Sequence, residues 1–151
     1  NLRIPALIPD DYLPDVHNRL MLYKRIASVQ NEEELKELQV EMIDRFGLLP
    51  EPAKNLVNQT RLRLKADALG IVKVDAGKEW VRLEFGASTP VDPLVLVKKV
   101  QSAPDTYRLE GANSFRFRLN DDSTSGKLDA ISAMLMELGP EQSKPAPAKK
   151  A

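Results

Sequence analysis

The chain has 151 residues, 42 % of them hydrophobic and 29 % charged, a composition that suits one globular domain able to bury its own core rather than a disordered segment. Lys+Arg and Asp+Glu both number 22, so the formal net charge is zero and the basic excess of a nucleic-acid module is missing. The absence of cysteine excludes disulfides and cysteine-ligated zinc or iron–sulfur sites and is compatible with a cytoplasmic location.

No apolar run approaches the roughly 18–20 residues of a membrane span. The opening residues NLRIPALIPDDYLP lack the basic, apolar and small-residue regions of a signal peptide. Without an initiator Met, the chain is expected to be a piece of a longer protein. Leu2 to Ile8 is a short apolar segment broken by Pro5 and ended by Pro9, an edge strand or an extended arm. A first helix is expected from near Pro14, with Asp15 in a first turn that the helix dipole favours. Val16, Leu20, Tyr23 and Ala27 follow i, i+4, i+7 and i+11, and Met21, Leu22 and Ile26 widen the stripe, which predicts burial over much of the circumference.

The best-punctuated stretch is Asn31 to Lys54. Asn31 is placed as an N-cap and Glu34 completes an approximate capping box. Leu35, Leu38, Met42 and Phe46 form a core-facing stripe, and Gly47 is placed as the left-handed C′ residue. Leu48 and Leu49 are both expected to tuck toward the core before Pro50. Glu34, Glu37, Glu41 and Asp44, at i, i+3, i+7 and i+10, line another side with no basic residue on the stripe. An exposed helix face is usually only solvated, but a single-sign stripe favours an electropositive partner surface more than a mixed one does. A third helix begins at Pro52 or Ala53 and runs to about Leu69, with Ala53, Leu56, Val57, Thr60, Leu64 and Ala68 as its apolar stripe. Lys54, Arg61, Arg63 and Lys65 give it a basic side.

After Gly70 the period changes from about 3.6 to 2. Ile71–Asp75 and Trp80–Phe85 read as a hairpin around Gly77, with Val81, Leu83 and Phe85 on one face and Trp80, Arg82 and Glu84 on the other. Asp92-Pro93 caps and opens a helix through Val100. The order then recurs, with strands Tyr107–Glu110 and Phe115–Leu119, followed by a helix carrying Leu128, Ile131, Leu135 and Leu138 and stopped by Gly139-Pro140. The fold class is α+β, an N-terminal layer of about three helices followed by two strand–strand–helix units. We read one domain over 1–140, helical over about 10–70 and hairpin–helix over about 71–139, and a Lys/Pro/Ala tail over 141–151 expected to be disordered.

No stretch announces a reaction. His17 is the only histidine, so a metal would depend on carboxylates, and no metal or cofactor is expected. GxxxxGK[ST] and GxGxxG are absent. Ser123–Lys127 superficially resembles a phosphate loop but lacks its first glycine and preceding strand, and a helix cap is the stronger reading. Asp10-Asp11 and Asp121-Asp122 are turn or cap material. Phe115-Arg116-Phe117-Arg118 has the aromatic–arginine alternation of a single-strand stacking platform, but Phe115, Phe117 and Leu119 share one face, which favours core packing.

Leu7 to Ser28 (LIPDDYLPDVHNRLMLYKRIAS) and Glu41 to Val57 (EMIDRFGLLPEPAKNLV), with the RLRLKADALGI that follows, resemble the C-terminal domain of the bacterial transcription-repair coupling factors, the Mfd family. The close match covers roughly Leu7 to Ile71, and the second half agrees in layout more than in residues. The resemblance implies a regulatory, non-enzymatic domain of an ATP-dependent DNA translocase whose motor lies elsewhere in the chain. It implies docking on the UvrB-like N-terminal module of the same protein, masking of its UvrA-binding surface, and release when RNA polymerase is engaged. UvrA and RNA polymerase are then partners through the full-length protein, with no direct nucleic-acid or membrane contact expected. The glutamate preceding MIDRFG is Glu41, which the resemblance places at the interdomain clamp, with Glu34, Glu37 and Asp44 beside it on the acidic stripe. Two other readings stay open. One is an interaction module for RNA polymerase or another repair protein, the other a nucleic-acid-binding accessory domain built on Arg116, Arg118 and the basic helix.

Overall fold

The computed structural model describes residues 1–139, so the tail expected over 141–151 lies outside the described residues. In chain order the elements are α1 (Val16–Ala27), α2 (Glu32–Phe46), α3 (Glu51–Ala68), β1 (Ile71–Ala76), β2 (Trp80–Phe85), α4 (Pro93–Ser102), β3 (Tyr107–Glu110), β4 (Ser114–Arg118) and α5 (Thr124–Glu137). This is the expected α+β order of three helices and two strand–strand–helix units. The chain divides into two compact units, Ile4–Leu64 in one and Asn1–Arg3 with Lys65 onward in the other, and the division falls inside α3.

In the helical unit, Asp15 proves to be the N-cap of α1 rather than a first-turn residue, its carboxylate accepting from the His17 and Asn18 amides. The predicted α1 stripe is corrected. Leu22 and Ile26 are buried, while Val16, Leu20 and Met21 are exposed. Several apolar residues around one helix fit more than one 3.6-residue register, and only the packing partner selects between them. The side chains of α2 follow expectation, with Leu35, Leu38 and Met42 buried in a core that also holds Ile8, Leu13, Val29, Leu49, Ala53 and Val57. Leu48 does not join them. It is 82 % exposed beside the buried Leu49, because neighbouring residues of an extended turn point to opposite sides.

Gly47 closes α2 at φ 97° and ψ −178°, a region essentially reserved for glycine and distinct from the left-handed helical geometry predicted. The Tyr12 hydroxyl reaches the Gly47 carbonyl at 2.9 Å and the Met42 carbonyl at 3.2 Å, tying the segment before α1 to the end of α2. Residues 4–9 form no strand. This arm is held by Asn55 Nδ2 donating to the Pro5 carbonyl, the Leu7 amide donating to Pro52, and the Ile8 amide donating to the Tyr23 hydroxyl.

In the other unit the strands make an antiparallel sheet ordered β1-β2-β4-β3. Val81, Leu83, Phe85, Phe115 and Phe117 lie on its buried face, and Leu96 of α4 with Leu128, Ile131 and Leu135 of α5 complete the core. Val72 interrupts the alternation. The register shifts between Ile71 and Lys73, so Ile71 and Val74 both pair on the core side, opposite Phe85 and Leu83, while Val72 is exposed. Asp92 caps α4 and Ser123 caps α5, with Gly126 N donating to Ser123 Oγ. The segment resembling a phosphate loop is therefore a helix start. Asp121 belongs to the same turn, its carboxyl held below the usual range by the Ser123 amide.

Candidate functional site

The four predicted carboxylates sit on α2, but they are not equivalent. Glu34 is used by the fold: its backbone amide donates to Asn31 Oδ1, and its own carboxylate reaches back to accept from the backbone amide of Gln30, one residue before the cap that a standard capping box engages. Glu41 is held by its neighbours. Arg25 of α1 grips it through two parallel bonds, Nη1 to Oε2 at 2.6 Å and Nη2 to Oε1 at 2.8 Å, and Arg45, one turn on, adds a third at 3.1 Å. These hydrogen bonds, Arg25 first and Arg45 second, lower the Glu41 pKa to about 2, and the Arg25 guanidinium is correspondingly raised.

The expectation of a stripe with no basic residue on it is thereby corrected. Arg45 was visible in the sequence at i+4 from Glu41. Arg25 was not, because only the packing of α1 on α2 brings it there. Glu37 and Asp44 carry no ion pair among the described residues and are exposed.

The Arg25–Glu41 bridge separates two hollows along the groove between α1 and α2. One, of about 360 Å³, is lined by Ser28, Val29, Glu34, Glu37 and Leu38 together with the bridge itself. The other, of about 210 Å³, has Met21, Met42, Arg45 and Phe46 in its walls. Thus Glu34, Glu37 and Glu41 meet at one hollow and Asp44 lies outside it. Arg45 also stands over the Phe46 ring, 4.9 Å from its centroid, so that end of the groove combines aromatic and cationic surface.

The remaining candidates resolve plainly. His17 is an exposed residue of the first turn of α1, and the described residues contain no group of three or more His, Cys, Asp or Glu able to hold a metal. Phe115 and Phe117 are core residues and are not available to stack bases. No helix of the described residues is long and apolar enough to cross a membrane.

Fold and surface together define an α+β domain of a helical unit, with a charged groove between its first two helices, and a helix-backed antiparallel sheet. The chain belongs to the TRCF domain family, whose model matches residues 2–96. It is 44 % identical over 134 residues to the transcription-repair-coupling factor of Haemophilus influenzae, covering 89 % of this chain and 12 % of that protein. It is 42 % identical over 137 residues to the Escherichia coli protein of the same name, covering 91 % of this chain and again 12 % of the relative. The fold is also that of a solved structure titled as the C-terminal domain of transcription-repair coupling factor, with TM-score 0.70, 22 % identity and coverage of 90 % and 89 % of the two chains. The chain therefore spans about an eighth of the length of these curated relatives.

Proposed function

We propose that this domain is the autoinhibitory element of a transcription-coupled repair translocase, docking on a UvrB-like module of the same protein and masking its UvrA-binding surface. The observation that carries the reading is the split among the α2 carboxylates. Glu37 and Asp44 are exposed and make no ion pair among the described residues, on the same helix as a Glu41 whose position is braced by Arg25 and Arg45. A fixed carboxylate flanked by exposed ones is suited to a basic docking surface, because little side-chain entropy remains to be lost at the braced position. Glu41 then acts in the clamp together with its arginines, its remaining lone pairs facing the partner, while Glu37 and Asp44 supply the exposed charge. Glu34 contributes mainly by fixing the start of α2.

The test uses a full-length transcription-repair coupling factor carrying this domain, with UvrA binding measured in the absence of RNA polymerase. Glu37→Arg with Asp44→Arg should raise UvrA binding while leaving the domain's melting temperature unchanged. Glu41→Arg should also raise it, with a loss of domain stability because three arginines then face one another. UvrA binding as weak as the parent's in both variants would place docking elsewhere on the domain.

A further inference from the structure

The outer face of the sheet carries an arrangement that neither the core nor the α1–α2 groove uses. Trp80, Arg82 and Glu84 of β2 lie beside Arg118, Arg116 and Ser114 of β4, and Arg108 of β3 lies opposite Arg116. Three arginines, Arg82, Arg116 and Arg108, therefore occupy one row across three adjacent strands. Like charges placed directly opposite one another destabilise a sheet, so folding alone does not favour this row.

The local carboxylates pair with every arginine of the face except Arg108: Asp75 of β1 lies opposite Arg82, and Glu84 stands 3.8 Å from the same guanidinium. Glu110 binds Arg116 at 2.6 Å and lies 3.8 Å from Arg82, and Glu79 lies 3.7 Å from Arg118. Arg108 is exposed and has no ion pair among the described residues. The arginines converge instead on Trp80. The guanidinium carbons of Arg116 and Arg118 stand 4.5 Å from its ring centroid and that of Arg108 stands 5.6 Å away. A guanidinium over an indole is held by cation–π attraction while its N–H edge stays free to grip a planar oxyanion with two bonds.

We infer that this Trp80–arginine face is a second docking surface, recognising a protein partner that presents clustered aspartate and glutamate side chains. Arg108 supplies the donor edge that no ion pair engages among the described residues, Arg118 adds a guanidinium held by the Asp105 carbonyl at 3.3 Å and lying 3.7 Å from Glu79, and Trp80 holds both in place. Tryptophan and arginine are also the residues that most often concentrate binding energy at protein interfaces. A nucleic acid fits less well. Glu79, Glu84 and Glu110 interrupt the positive track that a phosphodiester backbone follows, and the indole is already engaged by guanidiniums rather than free for a base to stack. The surface belongs to the sheet unit, the α2 carboxylates to the helical unit, and it carries the opposite charge preference, so it does not depend on the clamp reading.

Trp80 is the only tryptophan of the chain, so its emission reports on this face alone. The 151-residue chain is titrated with three probes at low salt: a synthetic Asp/Glu-rich peptide, its Asn/Gln counterpart and an oligothymidylate. Saturable change in Trp80 emission with the acidic peptide, none with the amide peptide, and weakening by about tenfold or more in Arg108→Glu and Arg118→Glu are expected. Arg108→Glu should stay folded with at most a small loss of melting temperature, because among the described residues that side chain has no ion pair and gives up only its contact with the Trp80 ring, and the milder Arg108→Gln should show the same loss of peptide binding. No saturable response to the acidic peptide overturns the inference. Tighter binding of the oligothymidylate than of the acidic peptide overturns it in favour of a nucleic-acid face.

Discussion

Arg25 and Glu41, sixteen residues apart and on different helices, meet in a two-bond fork of 2.6 and 2.8 Å that ties α1 to α2. The fork lies partly open to solvent, so its contribution is screened and is best read from its pH dependence rather than from contact geometry.

With its pKa lowered from 4.5 to about 2, Glu41 favours the folded state when ionised. That contribution is fully present above the unfolded value and is lost as pH falls through the folded one. Thermal melts of the parent and Glu41→Gln should therefore converge as pH is lowered from 4.5 toward 2, the parent losing more melting temperature across that window. Parallel pH profiles would mean that the fork adds nothing to stability.

Tyr12→Phe removes the hydroxyl that donates at the end of α2 and should cost about 0.5–1.5 kcal/mol in denaturant unfolding. Burial raises the Tyr12 pKa above its ordinary 10.0. The unfolded chain then loses the proton first, so stability present below pH 10 falls as pH rises through the folded value. The parent should consequently show an alkaline loss of melting temperature that Tyr12→Phe reduces.

Gly47→Val should destabilise by about 1–3 kcal/mol, the cost of a side chain in a backbone region that glycine alone occupies readily. A Cβ at Gly47 meets nothing within 4 Å, so the penalty is conformational and Gly47→Ala should carry most of it. An unchanged denaturation midpoint for both variants would rule out the observed turn geometry.

Gly70→Ala should cost more than Gly47→Ala. At φ +70° its Cβ would lie 2.5 Å from the Thr89 Cα, and backbone cannot yield as a flexible side chain does. Backbone strain of about 1–2 kcal/mol is joined by an overpacking cost of about 1–3 kcal/mol. The shift also threatens the bonds from Thr89 Oγ1 to Leu69 and from the Gly86 amide to Gly70. Comparing the two glycine variants by urea denaturation checks the ordering.

Local chemistry made much of the fold legible. Asn31, Asp92 and Ser123 cap helices where side-chain oxygens can accept free amides, and Gly47 stops α2 where φ turns positive. The alternation in Trp80–Phe85 assigned both faces of β2 because a strand repeats every two residues. Tertiary structure alone decided that α1 turns Leu22 and Ile26 inward while Val16 and Leu20 stay out, since its apolar residues fit several helical registers. It also decided that Val72 bulges, that β2 lies beside β4, and that Trp80 comes to rest among Arg108, Arg116 and Arg118. The pairing of Arg25 with Glu41 belongs to the same class. Caps and periods act over a few residues and are written locally, whereas these contacts join segments whose separation carries no local signal, and packing energy selects them only once the elements meet.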